Sequence, residues 1–337
     1  MTDYAIGKVV LGNARSISTA LGEFMRIGVD ESRLCPSPQV PRKRRGLAGE
    51  APVSGVGTFE GSAKRTIVFA PSGKPGWWIR RMDQKAQLDT KVDISNLWTS
   101  AQNLVLRSGS PHNYLRMVEH IIALKPGLWV DDVLIKVNSG DPPLFDQSSL
   151  PLVKAMEHAR IIDGAEDATY VTVSEPLAFG GDRGDFLLFF PDESGCGNLR
   201  IDCAIRWNTA IGTQRVVFDV TPETFRYASL ARTNATHRQY VMAKTIGKLF
   251  AATRNLGYNK KNILIHGPKG FYTEPRFPLN GKFLEPVWHR ATLDLLAALA
   301  LFGEHRFAGT VVSYRSGHTL DCDAVRAIYR NDLLCRI

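Results

Sequence analysis

Short runs of alternating or continuous apolar residues dominate the chain, and they predict strands at 66–70, 76–81, 104–106 and 132–138, with turn residues between them. Helical spacing is rarer. It predicts a helix over 5–27, a short one around 113–124, and one over 150–159 that carries a proline near its start. After a polar break at 163–167 the order recurs, with strands at 171–173, 186–190, 199–205 and 215–218. A helix over about 238–255 stops at Gly257, and a strand follows at 261–265. Pro286 opens an apolar helix that ends at Gly303, 310–314 closes the sheet, and 322–333 forms a last helix. Strands grouped with a few helices in each half argue for an α+β fold and against a repeated βα barrel.

A chain of 337 residues is long enough for two domains, because a single core rarely keeps growing past about 250–300 residues. Neither a low-complexity tract nor a fixed-period repeat is visible. The longest apolar stretch, 295–302, falls far short of the roughly 20 residues that span a bilayer, and its all-round hydrophobicity assigns it to the core. The N-terminal residues lack a basic segment followed by an apolar one, so a secretory signal is not expected. Cysteines 35, 196, 203, 322 and 335 are odd in number and show no CxxC spacing, which favours free thiols in the cytoplasm and excludes a zinc ribbon.

Charge widens the choice of partner without deciding it. The net charge is +9, and residues 1–48 hold eight Lys/Arg against four Asp/Glu, with a cluster at Arg42, Lys43, Arg44 and Arg45. That balance suits a phosphate-bearing ligand or an anionic membrane surface. No aromatic interleaving or nucleic-acid motif accompanies the cluster, which reads as a solvated linker, and no nucleic-acid partner is expected.

Candidate chemistry begins with Glu119-His120 and, about 170 residues on, the run from His289 to Asp294. A carboxylate beside an imidazole, joined in space to a second His/Asp element, is the set needed to hold a metal and take a proton from water. Asp146 reads as a turn former or helix cap. His112, His158, His237, His266 and His305 acquire no role.

Several ordered pieces carry a resemblance: Gly55 to Gly61, Val118-Glu119-His120, Asp132 to Asn138 leading to Pro143 through Ser149, Ala231-Arg232-Thr233, Leu293-Asp294, and Tyr314 through Thr319. Over roughly 48–333 the chain resembles the zinc-dependent UDP-3-O-acyl-N-acetylglucosamine deacetylases of lipid A biosynthesis. The resemblance implies two similar α+β domains, each a mixed sheet with helices, whose helices pack together at the domain interface. It divides the chain into 1–47, an N-terminal extension and basic linker, 48–165, domain I, and 166–337, domain II. It implies Glu119 as general base, Thr233 as an oxyanion donor, and His318 as the acid that protonates the leaving amine. His120, His289 and Asp294 are implied as zinc ligands. The substrate implied is a UDP-sugar with an acyl chain, which calls for an apolar passage and a cationic diphosphate site; transient contact with a membrane surface is a separate expectation, compatible with the basic charge balance.

The chain departs from the family at several positions. Arg290 stands where the second zinc histidine belongs, four residues before Asp294, and His289 lies one step early. Ala291 replaces a lysine, Ala298 an aspartate that orients the acid histidine, Phe59 a histidine, and Asn234-Ala235 an aromatic-glycine pair. Residues five apart on an α-helix lie ~140° apart around the axis, so His289 and Asp294 cannot grip one ion from a regular helix. Two readings follow. A single π-turn between them would restore a common face, giving a divergent zinc deacetylase. Alternatively Arg290 and Asp294 form an ion pair that fills the metal position, giving a non-catalytic relative that binds a sugar nucleotide or acyl ligand.

Overall fold

Alternation along Val133–Val137, where Val133, Ile135 and Val137 are buried and Leu134 and Lys136 are not, gives the first sheet one packed face. The computed structural model describes residues 4–36, 38–250 and 254–337. Six strands form that sheet, in the order Pro143–Leu144, Ala51–Gly57, Lys64–Pro71, Val133–Val137, Trp77–Arg81 and Asp89–Lys91. All its neighbours run antiparallel except Val133–Val137 against Trp77–Arg81.

The second sheet has seven strands, in the order Lys8–Leu11, Leu177–Gly180, Phe186–Phe190, Gly309–Tyr314, Leu199–Arg206, Thr213–Asp219 and Glu31–Arg33. Strand Gly309–Tyr314 is therefore its centre and does not close it. Phe186 to Phe189 are all buried, so both faces of this sheet are covered. One cover is helix α1 (Ala14–Met25), which sets Ile17, Ala20, Leu21 and Phe24 against Ala178, Phe186, Leu188 and Tyr314. Its start is fixed by Asn13, whose side chain accepts from the backbone N–H groups of Arg15 and Ser16.

The helix expected over 5–27 is thus a strand followed by a shorter helix, because Lys8, Val9 and Leu11 pair with Leu177, Ala178 and Phe179 before Gly12, at φ 84°, turns the chain. The basic cluster also differs from expectation. Lys43–Leu47 is a strand paired antiparallel with Ile161–Asp167, the stretch expected as a break. Arg44 is buried and ion-paired with Asp132, and Arg45 donates its backbone N–H to Asp131. Neighbouring Arg306 pairs with the same Asp131 carboxylate at 2.6 Å. Three buried charges compensated in this way hold a strand where a solvated linker was expected.

The other helices are α2 (Glu119–Ile122), α3 (Leu124–Leu128), α4 (Leu150–His158), α5 (Pro222–Ala228), α6 (His237–Lys244), α7 (Glu285–His289), α8 (Leu295–Ala300) and α9 (His318–Arg330). The helix expected over 238–255 is shorter, with a 3-10 turn at Ile246–Leu249 after it, and residues 251–253 of that expectation lie outside the described residues. Helices α2 and α3 pack on α8 between the sheets, in one apolar cluster that runs from Ile67 and Phe69 to Leu293 and Leu299. The fold is α+β with mixed sheets, as the strand grouping predicts. No helix among the described residues is long and apolar enough to cross a membrane.

Helix α3 approaches α5 so closely that a Cβ on Gly127 would sit 2.2 Å from the Phe225 ring. Replacing Gly127 with alanine is expected to cost about 1–3 kcal/mol through overpacking, despite alanine's better helix propensity. Urea denaturation of the variant measures it.

Candidate active site

Met117, at φ 47°, turns the chain sharply before α2, so that the first two residues of this four-residue helix face the second half of the protein. Glu119 is buried and accepts the Leu104 backbone N–H at 3.1 Å. Burial pushes its carboxyl pKa up, and the charge of His318 partly counters that. His120 is held by Ser149, whose hydroxyl lies 3.2 Å from Nδ1 and donates to the His120 carbonyl at 3.2 Å. A hydroxyl committed to the carbonyl accepts from Nδ1–H, which leaves the Nε2 lone pair free.

The second element is an α-helix interrupted by one π-turn. α7 ends at His289, Arg290–Asp294 is a π-helix, and α8 follows, with the Leu295 N–H donated to the Arg290 carbonyl. The wider turn brings His289 and Asp294 onto one side, with Nδ1 3.5 Å from Asp294 Oδ2. Arg290 turns away from this pocket. Its guanidinium donates to the Ser316 carbonyl at 2.9 Å and the Ser316 hydroxyl at 2.6 Å, and pairs with Asp321 at 2.5 Å. The Arg290–Asp294 ion pair envisaged from the four-residue spacing therefore does not form, because the π-turn removes that spacing from a regular helix. Replacing Arg290 with methionine strands Asp321 without a cation in the interior, which is expected to cost about 3–5 kcal/mol. Thermal denaturation reads the loss.

Thr233 joins the two halves. Its hydroxyl lies 3.0 Å from His120 Nε2 and 3.2 Å from His289 Nε2, and the two Nε2 atoms are 3.2 Å apart. Arg232 places it, since the backbone N–H and guanidinium of Arg232 both bond Glu285 at the start of α7, at 2.9 and 2.7 Å. Trp288, one residue before His289, donates to Glu31 at 2.8 Å, so the N-terminal segment also steadies α7. His318 opens α9, with Nε2 3.9 Å from Glu119 Oε1 and 3.7 Å from Asp294 Oδ1. The structure thus brings together all six residues singled out in the sequence: Glu119, His120, Thr233, His289, Asp294 and His318.

Electrostatics leave His120 uncharged and Asp294 ionised, the forms in which each can ligate a metal. Burial, reinforced by the charge of His289, pushes the His120 imidazole down to about 3, so it is neutral near pH 7. Burial alone would raise Asp294, but the charges of His289, His318 and Arg290 hold it well below the usual carboxylate range. Asp294 Oδ1 is buried without a hydrogen-bond partner. With Nδ1 of both imidazoles carrying the proton, two Nε2 lone pairs and a hydroxyl oxygen meet within 3.2 Å around a single hydroxyl proton. Two nitrogens of a tetrahedral zinc with bonds of ~2.0–2.1 Å stand ~3.3 Å apart.

Among the described residues no three His, Cys, Asp or Glu side chains close on a common point, since Asp294 addresses the Nδ1 edge of His289. Two nitrogen donors converge, and the third donor lies in the same pocket with a bare oxygen. In type, two imidazoles and a carboxylate are a catalytic zinc set with one position left open.

The departures from the family pattern have visible consequences. Phe59 sits in an apolar cluster with Met117, Tyr258, Ile263 and Ile265, beneath the Arg116 guanidinium at 3.8 Å. Ala298 is buried core, and His318 Nδ1 is left without a hydrogen-bond partner. An apolar pocket lined by Met117, Ile121, Pro143, Leu144, Phe145 and Leu152 adjoins His120. A wider recess lined by Arg232, Lys260, Lys261 and Arg276, together with Asp146 and Glu274, begins at the residue before Thr233. Ser149 and Glu285 went unread in the sequence. Ser149 lies within a motif that was singled out, and nothing in the sequence marks Glu285 as the anchor of Arg232.

The family model described as UDP-3-O-acyl N-acetylglycosamine deacetylase matches residues 44–330. Curated relatives named UDP-3-O-acyl-N-acetylglucosamine deacetylase from Brucella ovis, Brucella abortus and Brucella melitensis are each 25% identical over 285 residues, covering 83% of this chain and 93% of theirs.

Proposed function

The chain belongs to the UDP-3-O-acyl-N-acetylglucosamine deacetylase family, and on that premise we propose that it hydrolyses the N-acetyl amide of an acylated UDP-sugar. The observation that supports this most is the meeting of His120 Nε2, His289 Nε2 and the Thr233 hydroxyl within 3.2 Å, with Asp294 and Glu119 in the same pocket.

His120, His289 and Asp294 are the residues that would hold zinc. When bound, it supplies Lewis acidity, withdrawing charge from the amide carbonyl and from the attacking water. Glu119 takes the water's proton, and a carboxyl raised by burial suits that work near neutral pH. The Thr233 hydroxyl donates to the carbonyl oxygen as negative charge develops on it. His318, across from Glu119, passes a proton to the departing amine, which leaves acetate and a free amino sugar. The apolar pocket beside His120 suits the acyl chain, and the Lys260, Lys261 and Arg276 recess suits the diphosphate. Nucleotide sugars are cytoplasmic compounds, so the protein is assigned to that compartment.

Incubation with a UDP-3-O-acyl-N-acetylglucosamine tests this reading. It predicts stoichiometric release of acetate that a chelator stops. Binding of the sugar nucleotide with no acetate release would support the non-catalytic relative, which the unpartnered Nδ1 of His318 favours.

A further inference from the structure

Residues 224–273 contain nine Lys or Arg and no Asp or Glu, a charge equal to the excess of +9 on the whole chain. The remaining 33 Lys/Arg and 33 Asp/Glu balance. Arg226 and Arg232 are ion-paired, with Glu157 and Glu285, and the seven other cations form no ion pair among the described residues. Within this stretch, α6 and the turn after it expose apolar side chains. Val241 and Met242 are each 42% exposed, Ile246 63% and Leu249 82%. Arg238 and Lys248 flank them and are exposed too.

This face is built, not frayed. Thr236 and Gln239 cap α6 reciprocally, and Lys244 ties the helix end to the Leu256 carbonyl. Strand Asn234–Thr236, paired with Leu264–His266, runs from Thr233 in the candidate site directly into α6. The apolar tips are therefore fixed close along the chain to the reaction centre.

We propose that Val241, Met242, Ile246 and Leu249, with Arg238 and Lys248, dock the protein onto an anionic lipid bilayer beside the mouth of the site. Apolar tips on a stretch that carries nine cations and no carboxylate of its own match the headgroup boundary, where side chains enter the acyl region and Lys/Arg meet lipid phosphates. Protein interfaces are instead depleted in lysine. The inference goes beyond the hydrolysis proposed above and does not depend on it.

Co-sedimentation with vesicles of equal parts phosphatidylglycerol and phosphatidylcholine, and with pure phosphatidylcholine, tests it. The intact chain is expected to sediment with the anionic vesicles, weakly with the neutral ones, and less as salt rises. Leu249→Asp is expected to weaken that partition roughly tenfold or more, and Lys248→Glu roughly fivefold, with circular dichroism unchanged. Failure to bind anionic vesicles, equal binding to neutral ones, or unaltered binding by Leu249→Asp each overturns the proposal. So does a Leu249→Asp protein that still binds vesicles but loses affinity for a long-chain acyl substrate in free solution, because the face would then belong to the substrate's own chain.

Discussion

Glu119→Gln is expected to lower kcat by roughly 10²–10⁴-fold, with KM little changed and stability at least retained. The substitution keeps the shape of the side chain and its acceptor for the Leu104 N–H, which Glu119 meets at 3.1 Å. It removes only the ability to take a proton. A buried carboxylate is costly to desolvate, so the neutral amide does not weaken the fold. If Glu119 merely anchored Leu104, glutamine would anchor it equally well and turnover would survive. Steady-state kinetics and a melting curve on the same sample separate these outcomes.

A larger loss is expected from His120→Ala. This change removes one of the two nitrogens that face each other at 3.2 Å, and with it a contact of the Thr233 hydroxyl. A metal's contribution to the barrier is several kcal/mol, so kcat/KM is expected to fall roughly 10³-fold or more. The melting temperature gives an independent readout. Zinc at a hundred times its dissociation constant stabilises the folded state by about 2.7 kcal/mol. The intact protein should show that shift, reversed by chelator, and His120→Ala should not.

Much of this arrangement is legible in residue order. Single runs such as Phe186–Phe190 and Val133–Val137 declare themselves as strands because apolar continuity or alternation is enough to bury them. The pairing of Glu119-His120 with Asp294 follows from family motifs. The N-terminal segment is harder to read, because Val9 and Val10 fit a helical stripe and the edge of a sheet equally well. Only the partner strand Leu177–Gly180 decides between them. The basic cluster likewise reads as solvated until Asp131 and Asp132 arrive from 86 or more residues away.

The decisive case is His289. Sequence spacing sets out the choice between a π-turn and an Arg290–Asp294 pair and cannot resolve it, because the outcome depends on where Arg290 finds a carboxylate. Asp321 on α9 and Ser316 in the loop that precedes it supply that partner. With the guanidinium drawn aside, the inserted residue is accommodated by widening the helix, and the imidazole faces His120.

Elemental analysis of the purified protein tests the central claim most directly. The account predicts about one zinc per chain, lost on dialysis against chelator and absent from Asp294→Ala, as expected for a site of two imidazoles and one carboxylate. A protein purified in the presence of zinc that carries none, and whose stability responds neither to added zinc nor to chelator, would contradict it.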